Sequence, residues 1–276
     1  MSVPKTLSNN NPYILDKVED REGNFYAALT RKNADFIEAV VALDSNYKRD
    51  MTVIPPDDGF DINRDFNDSR GKYCGSIRYW FEKMLDSNSN YSECVLGAVT
   101  AVDRSNSTHL ETVFEGRKKM RDRIVEHYPS VKTLRGAISI PFTSENWNHI
   151  IHKLTEGGLF SIKDNSEMFF ISFASKFITY ASIVLNNRYL HSKYDGVVST
   201  NLPIYAKLYL NKTFGKTKFK VNQNNGNFVA KREKGLRMYG EYVSTINGIL
   251  EVLEKGNVKL TREEFDHIVW YCTKGR

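Results

Sequence analysis

"MFFISFASKFITYASIVLNNRYLHSKYD", residues 168–195, is the most apolar stretch of the chain, and a single lysine is set into it. Phe170, Phe173, Ala174, Phe177, Ile178 and Ala181 recur at steps of three and four. That spacing predicts a helix over 168–185 with a broad apolar stripe. Lys176 falls beside that stripe, on a flank with Ser172, Thr179 and Tyr180, small or polar groups that suit a cleft as well as water. A lysine among aromatics loses hydration, which frees its amine to attack a carbonyl-like carbon. The structural alternative is a lysine that lays its stem on the helix and carries its charge out to solvent. Asp195 follows where the helical pattern restarts, as the N-cap of "DGVVSTNL", a helix expected to break or kink at Pro203. A helix N-terminus favours an ionised carboxylate, which can stabilise positive charge growing on a sugar ring.

Outward from this stretch, the two halves of the chain read differently. Residues 1–135 alternate short apolar runs (FIEAVVAL, MTVI, VLGAVTAV) with turn-rich stretches such as "PPDDGFDINRDFNDSRG", so strands and helices are mixed there. "GSIRYWFEKML" and "THLETVFEGRKKMRDRIVEHY" have helical periodicity, and the second stops before Pro129. From Thr143 the pattern is helical almost throughout. "TSENWNHIIHKL" opens with Thr143 or Ser144 as N-cap, and "GLRMYGEYVSTINGILEVLEK" and "TREEFDHIVWYC" follow a basic loop with "NQNNGN". The expectation is a mainly α fold, α+β overall, divided into a mixed region 1–135 and a helical domain 136–276.

Composition narrows the function. At 276 residues and 41% hydrophobic, the chain can bury one large core or two modest ones, and it has no run of roughly 20 uncharged apolar residues. The N-terminal residues show no basic region followed by an apolar run, so the expected location is the cytoplasm. Cys74, Cys94 and Cys272 are too few and too scattered for a disulfide framework or a zinc site, and no metal or cofactor is expected. The net charge of +6 is unevenly spread: between Lys207 and Arg237 nine basic residues face the single acid Glu233, a local +8. A concentrated basic segment on a chain otherwise near neutral is what phosphate binding needs. Its residues include Lys212, Lys216, Lys218, Lys220, Lys231 and Arg232, with Lys193 beside Asp195. "GRKKMRDR" from Gly116 to Arg123 reads instead as the wet face of a helix.

"FISFASKFITYASIVLNNRYLHSKYDGVV" resembles the catalytic stretch of the helix-hairpin-helix DNA glycosylases, in particular the 8-oxoguanine DNA glycosylase branch and its stand-alone prokaryotic relatives. In that branch a lysine opens an apolar helix, and an aspartate lies the same distance downstream at the start of another. Carried over by position, the resemblance makes Lys176 the Schiff-base lysine and Asp195 the catalytic aspartate, and it runs loosely from about Thr143 to Cys272. It also implies a pocket for an extruded base, with Tyr180, Phe177, Phe265 and Trp270 as candidate walls. The sequence departs from the family pattern in three places. "NSEMFFISFAS" has no glycine where the hairpin is normally glycine-rich. Lys193 stands where a proline usually precedes the aspartate by two positions. Tyr180 replaces a small side chain one turn after the lysine, which argues against 8-oxoguanine itself as substrate.

The resemblance thus implies an enzyme that excises bases from double-stranded DNA without cofactor or metal, with or without abasic-site lyase activity, in base repair or against phage DNA; a monomer is expected, with the oligomeric state left open. Two other classes stay open: a non-enzymatic nucleic-acid-binding protein that uses residues 207–237, and a helical protein-interaction domain whose binding would be insensitive to salt.

Overall fold

The structure, a computed structural model, describes residues 15–62, 72–106, 108–113, 115–143, 145–160, 167–220 and 227–274. Its elements in chain order are β1 (Lys17–Glu19), β2 (Phe25–Ala27), α1 (Arg31–Leu43), α2 (Ser45–Asp50), α3 (Ile77–Lys83), α4 (Tyr91–Asn106), α5 (Gly116–His127), α6 (Val131–Ile138), α7 (Ile150–Leu154), β3 (Leu159–Phe160), β4 (Glu167–Met168), α8 (Ile171–Asn186), α9 (Gly196–Leu210), α10 (Phe228–Lys255) and α11 (Arg262–Lys274). The protein is mainly helical: of the described residues, 60% are helix and 4% strand. The apolar runs FIEAVVAL and VLGAVTAV lie in α1 and α4, while MTVI forms neither helix nor strand.

Two compact units emerge, and neither is contiguous in sequence. One gathers the described residues of 15–48, 194–220 and 238–274, the other those of 49–193 and 227–237. This division differs from the change of sequence pattern near residue 135. It separates Lys193 from Tyr194, and α10 contributes residues to both units.

In the first unit β1 and β2 form an antiparallel hairpin in the register Lys17↔Ala27, and α11 packs against α1, α9 and β2. Thr30 caps α1 by accepting from the Asn33 amide, and the buried Asn33 side chain donates to the carbonyls of Asp16 and Ala28, both at 2.7 Å. Thr261 and Glu264 close a capping box at the start of α11, each side chain accepting from the other's backbone N–H. Ile37, Leu202, Phe219, Tyr239, Tyr242, Phe265 and Val269 are fully buried in this unit.

In the second unit α8 packs against α3, α4, α6 and α7, and α4 also packs against α3 and α5. Covered by four helices, α8 is buried on every side: besides its apolar stripe, Ser175, Lys176, Thr179, Tyr180 and Ser182 are enclosed. A helix so surrounded needs polar side chains with local partners. Thr179 donates to the carbonyl of Ser175 at 2.8 Å, and Ser182 to that of Arg188 at 2.5 Å. Two glycines permit close approach: a Cβ at Gly97 would meet the Trp80 ring at 2.1 Å, and one at Gly235 would meet Phe169 at 2.3 Å.

Several boundaries correct the sequence reading. The helix expected over 168–185 begins at Ile171, because Glu167 and Met168 pair with Phe160 and Leu159 as β4. The N-cap of α7 is His149 rather than Thr143, its Nδ1 accepting from the Ile151 amide at 3.1 Å; Ser144 lies outside the described residues. α9 continues through Pro203 to Leu210 instead of breaking there. Pro203 removes one N–H donor, and the buried Leu202, Tyr205 and Ala206 around it keep the helix packed. α10 starts seven residues before the expected Gly235, and "NQNNGN", save its last residue, lies outside the described residues. On α5, Arg117 and Arg123 turn inward rather than forming a wet face: Arg117 pairs with Asp103, and Arg123 donates to the carbonyls of Leu154 and Gly157, each at 2.9 Å.

Candidate active site

Lys176 sits in the second turn of α8, and its residue is 7% exposed. The snorkelling arrangement is therefore not the one adopted. Its Nζ donates to the main-chain carbonyl of Asn106, 3.3 Å away. Asn106 is the last residue of α4, where backbone carbonyls have no partner in the helix and carry its negative dipole end, a natural place for a cationic donor. The side chain of the same asparagine accepts from the Tyr180 hydroxyl at 3.3 Å and donates through Nδ2 to the Val102 carbonyl at 3.2 Å. Lys176 and Tyr180, one turn apart on α8, are thus tied to one residue of α4.

Lys193 reaches the same place from the segment after α8. Its Nζ lies 4.4 Å from the centre of the Tyr180 ring and 5.7 Å from that of Tyr189, a cation over two aromatic faces. The segment is pinned beneath it. Asn187 turns left-handed at φ 51° to end α8, Thr179 donates to the carbonyl of His191, and a ring nitrogen of His191 bonds the carbonyl of Ile138 at 2.8 Å. Lys176, Tyr180, Lys193 and Asn106 therefore form one cluster in the second unit.

The acid lies in the first unit. Asp195 is the N-cap of α9, as its position in the sequence predicts, and its side chain accepts from the Val197 amide at 2.8 Å. Around it stand Tyr194, whose hydroxyl donates to the Phe219 carbonyl at 2.6 Å, and Tyr242, whose ring lies 5.5 Å from that of Tyr194. Burial pushes the Tyr242 hydroxyl well above its ordinary range, and the charges of Asp266 and Asp195 add to the effect.

The chain matches no family model, no curated protein and no solved structure.

The remaining candidates separate by burial. Phe177 is fully enclosed, stacked with Phe173 at 5.7 Å and tilted against Phe81 at 5.2 Å, and Phe265 is fully enclosed with Tyr205 edge-on at 6.1 Å. Both are core aromatics here and present no free face to a base. Tyr180 is 5% exposed, and Trp270 is half-buried at the end of α11 with its ring 4.7 Å from that of Tyr271. Among the basic residues, Lys212, Lys216 and Lys220 are exposed, and Lys218 is ion-paired with Glu241. The basic segment is shared out: residues 207–220 belong to the first unit, Lys231 and Arg232 to the second. Arg232 is half-buried, and its Nη2 donates to the carbonyl of His152 at 2.9 Å, so its guanidinium serves the end of α7. Among the described residues, no three His, Cys, Asp or Glu side chains gather as a metal site, and no helix is long and apolar enough to cross a membrane.

Sequence reasoning missed Asn106. An asparagine at a helix end is a weak signal, and a partner 70 residues away along the chain leaves no spacing to read.

Proposed function

We propose that the protein is a DNA glycosylase that extrudes and excises a damaged or modified base, with abasic-site lyase activity through Lys176, in base repair or in defence against phage DNA. The observation that carries this reading is the placement of Lys176: enclosed in a packed helix, its Nζ fixed on a carbonyl, beside a tyrosine and a second lysine. Together with the family resemblance of the segment, that placement suits an amine held for chemistry better than one held for solubility.

The target nucleotide leaves the stack because its C1′ carbon is out of reach inside a duplex. Nζ of Lys176 gives up a proton to water and forms the N–C1′ bond as the bond from C1′ to the base breaks. The electron pair leaves with the base, which takes up a proton. A proton then passes from the lysine nitrogen to O4′ as the C1′–O4′ bond opens, which leaves a Schiff base. Loss of a C2′ proton expels the 3′ phosphate. The resemblance gives Asp195 the task of stabilising the sugar cation as the base departs. The exposed Lys212, Lys216 and Lys220 are suited to backbone phosphates.

The test is a panel of duplexes carrying damaged or modified bases. Wild type should release one class of base and nick the strand, Lys176→Ala should lose both base release and nicking, and Asp195→Asn should slow base release by about 100-fold. Duplex binding with no base release or nicking on any member of the panel would instead mark a nucleic-acid-binding protein.

A further inference from the structure

We propose that Asn106 is a positioning residue for the lysine: it holds Nζ of Lys176 on its main-chain carbonyl and fixes Tyr180 through its side chain. The inference rests on the glycosylase reading for the reaction it serves, but the restraint itself is a property of the folded chain.

Hydrogen bonds from two helices converge on this one residue. Lys176 donates to its carbonyl at 3.3 Å, Tyr180 donates to its Oδ1 at 3.3 Å, and its Nδ2 donates to the Val102 carbonyl one turn back, at 3.2 Å. The last of these braces the final turn of α4, where the chain would otherwise fray. Residues nearby on α4 are braced as well: Ser105 donates to the buried Asp50 at 2.8 Å, and Asp103 is locked to Arg117, Thr108 and the Leu110 amide. The carbonyl that receives Nζ therefore sits at a helix end tied down by side-chain hydrogen bonds.

The geometry matters to an amine nucleophile. A lysine head group that keeps one N–H on a carbonyl cannot rotate freely, and once it loses a proton for the reaction its lone pair points away from that carbonyl. Tyr180, one turn along α8, is bound to the same asparagine. Nζ of Lys193 lies 4.4 Å from the centre of the Tyr180 ring. Removing the Asn106 side chain would release the Tyr180 hydroxyl and the brace to Val102 together, and a small misplacement of a reacting atom costs up to about 100-fold in rate.

The experiment compares wild type with Asn106→Ala, Tyr180→Phe and the double variant on a duplex carrying an abasic site. Two readouts are taken: the single-turnover rate of borohydride-trapped adduct, and the side-chain ammonium signal of Lys176 in protein labelled with 15N-lysine, assigned by its loss in Lys176→Arg. Each single variant should trap at least about tenfold more slowly, and the double variant should be no slower than Asn106→Ala alone, since the Tyr180–Asn106 bond is already lost in it. The Lys176 ammonium signal, protected in wild type, should broaden through faster proton exchange in the variants. Trapping at the wild-type rate in both variants with an unchanged ammonium signal overturns the positioning role. If wild type forms no adduct, the lyase part of the proposed function falls, and the ammonium signal alone then decides whether Asn106 holds Lys176. Tyr180→Phe removes one oxygen atom and decides the question should Asn106→Ala not fold.

Discussion

Asp103 is wholly enclosed on α4, and four donors surround it: Nε and Nη2 of Arg117, each at 2.8 Å, the Thr108 hydroxyl at 2.6 Å and the Leu110 amide at 2.9 Å. Removing one partner of such a pair leaves the other charge buried. Asp103→Ala should therefore lower stability by roughly 3–5 kcal/mol in urea unfolding, and a loss below about 1 kcal/mol would mean that Arg117 escapes to water. His149 and His152 act through pH. Burial pushes both imidazoles down to about 4 from 6.5, and His152, stacked on Phe142 and against Trp147, makes no hydrogen bond through either ring nitrogen. In the unfolded chain these rings take up protons as pH falls through about 6.5, while in the folded chain they do so only near 4. The unfolded state thus binds more protons across that window, and stability falls as pH falls. In His149→Gln/His152→Gln, the slope of stability against pH between 6.5 and 4 should flatten. Lys176 and Asp195 were legible as individual residues because each belongs to a local pattern, an apolar helix and an N-cap. Asn106 and Asp103 act through partners that lie far off in sequence or on another helix, and no local pattern marks them.

Among the elements, α8 departs most from its sequence reading. Periodicity gave it one apolar face and a polar flank, but with four helices packed against it every residue from Phe173 to Ser182 is buried, and Thr179, which suited a cleft, donates to the Ser175 carbonyl instead. A helix's own periodicity reports which face is most apolar and not how many neighbours it has. Caps were read best where side chain and backbone agree, as at Asp195. The cap of α7 was misplaced because His149 does the task of the serine or threonine expected upstream. The packing of α3 on α4 offers a direct check. The indole of Trp80 donates to the Cys74 carbonyl at 2.7 Å and lies where a Cβ at Gly97 would be, 2.1 Å from its ring. Gly97→Ala gains helix propensity, yet it should still destabilise by about 1–3 kcal/mol as the ring is displaced, measured by thermal unfolding. A rise in melting temperature would show that α3 and α4 separate easily.

At the scale of the whole molecule, helix content was legible, because long runs of period 3.6 dominate from Thr143 onward and α1, α3, α4 and α5 add to them. The compact units were not. A composition change marks a boundary along the chain, whereas these units assemble from separated segments, which only long-range packing defines. Charge behaves similarly: residues 207–237 read as one basic segment, yet Lys218 is paired, Arg232 serves α7, and the residues divide between the two units. Replacing Lys212, Lys216 and Lys220 by glutamine should flatten the slope of log affinity against log salt by roughly 0.9 for each phosphate that is no longer neutralised, while Arg232→Ala should lower stability as well as affinity. An unchanged salt slope in the triple variant would place the DNA elsewhere. On the proposed function, Lys176 becomes covalently joined to C1′ of its target. The direct measurement is borohydride reduction on an abasic duplex followed by peptide mapping of the adduct. We expect a single modified peptide carrying Lys176 and no adduct from Lys176→Ala. An adduct on any other lysine, or one that survives Lys176→Ala, would contradict the assignment.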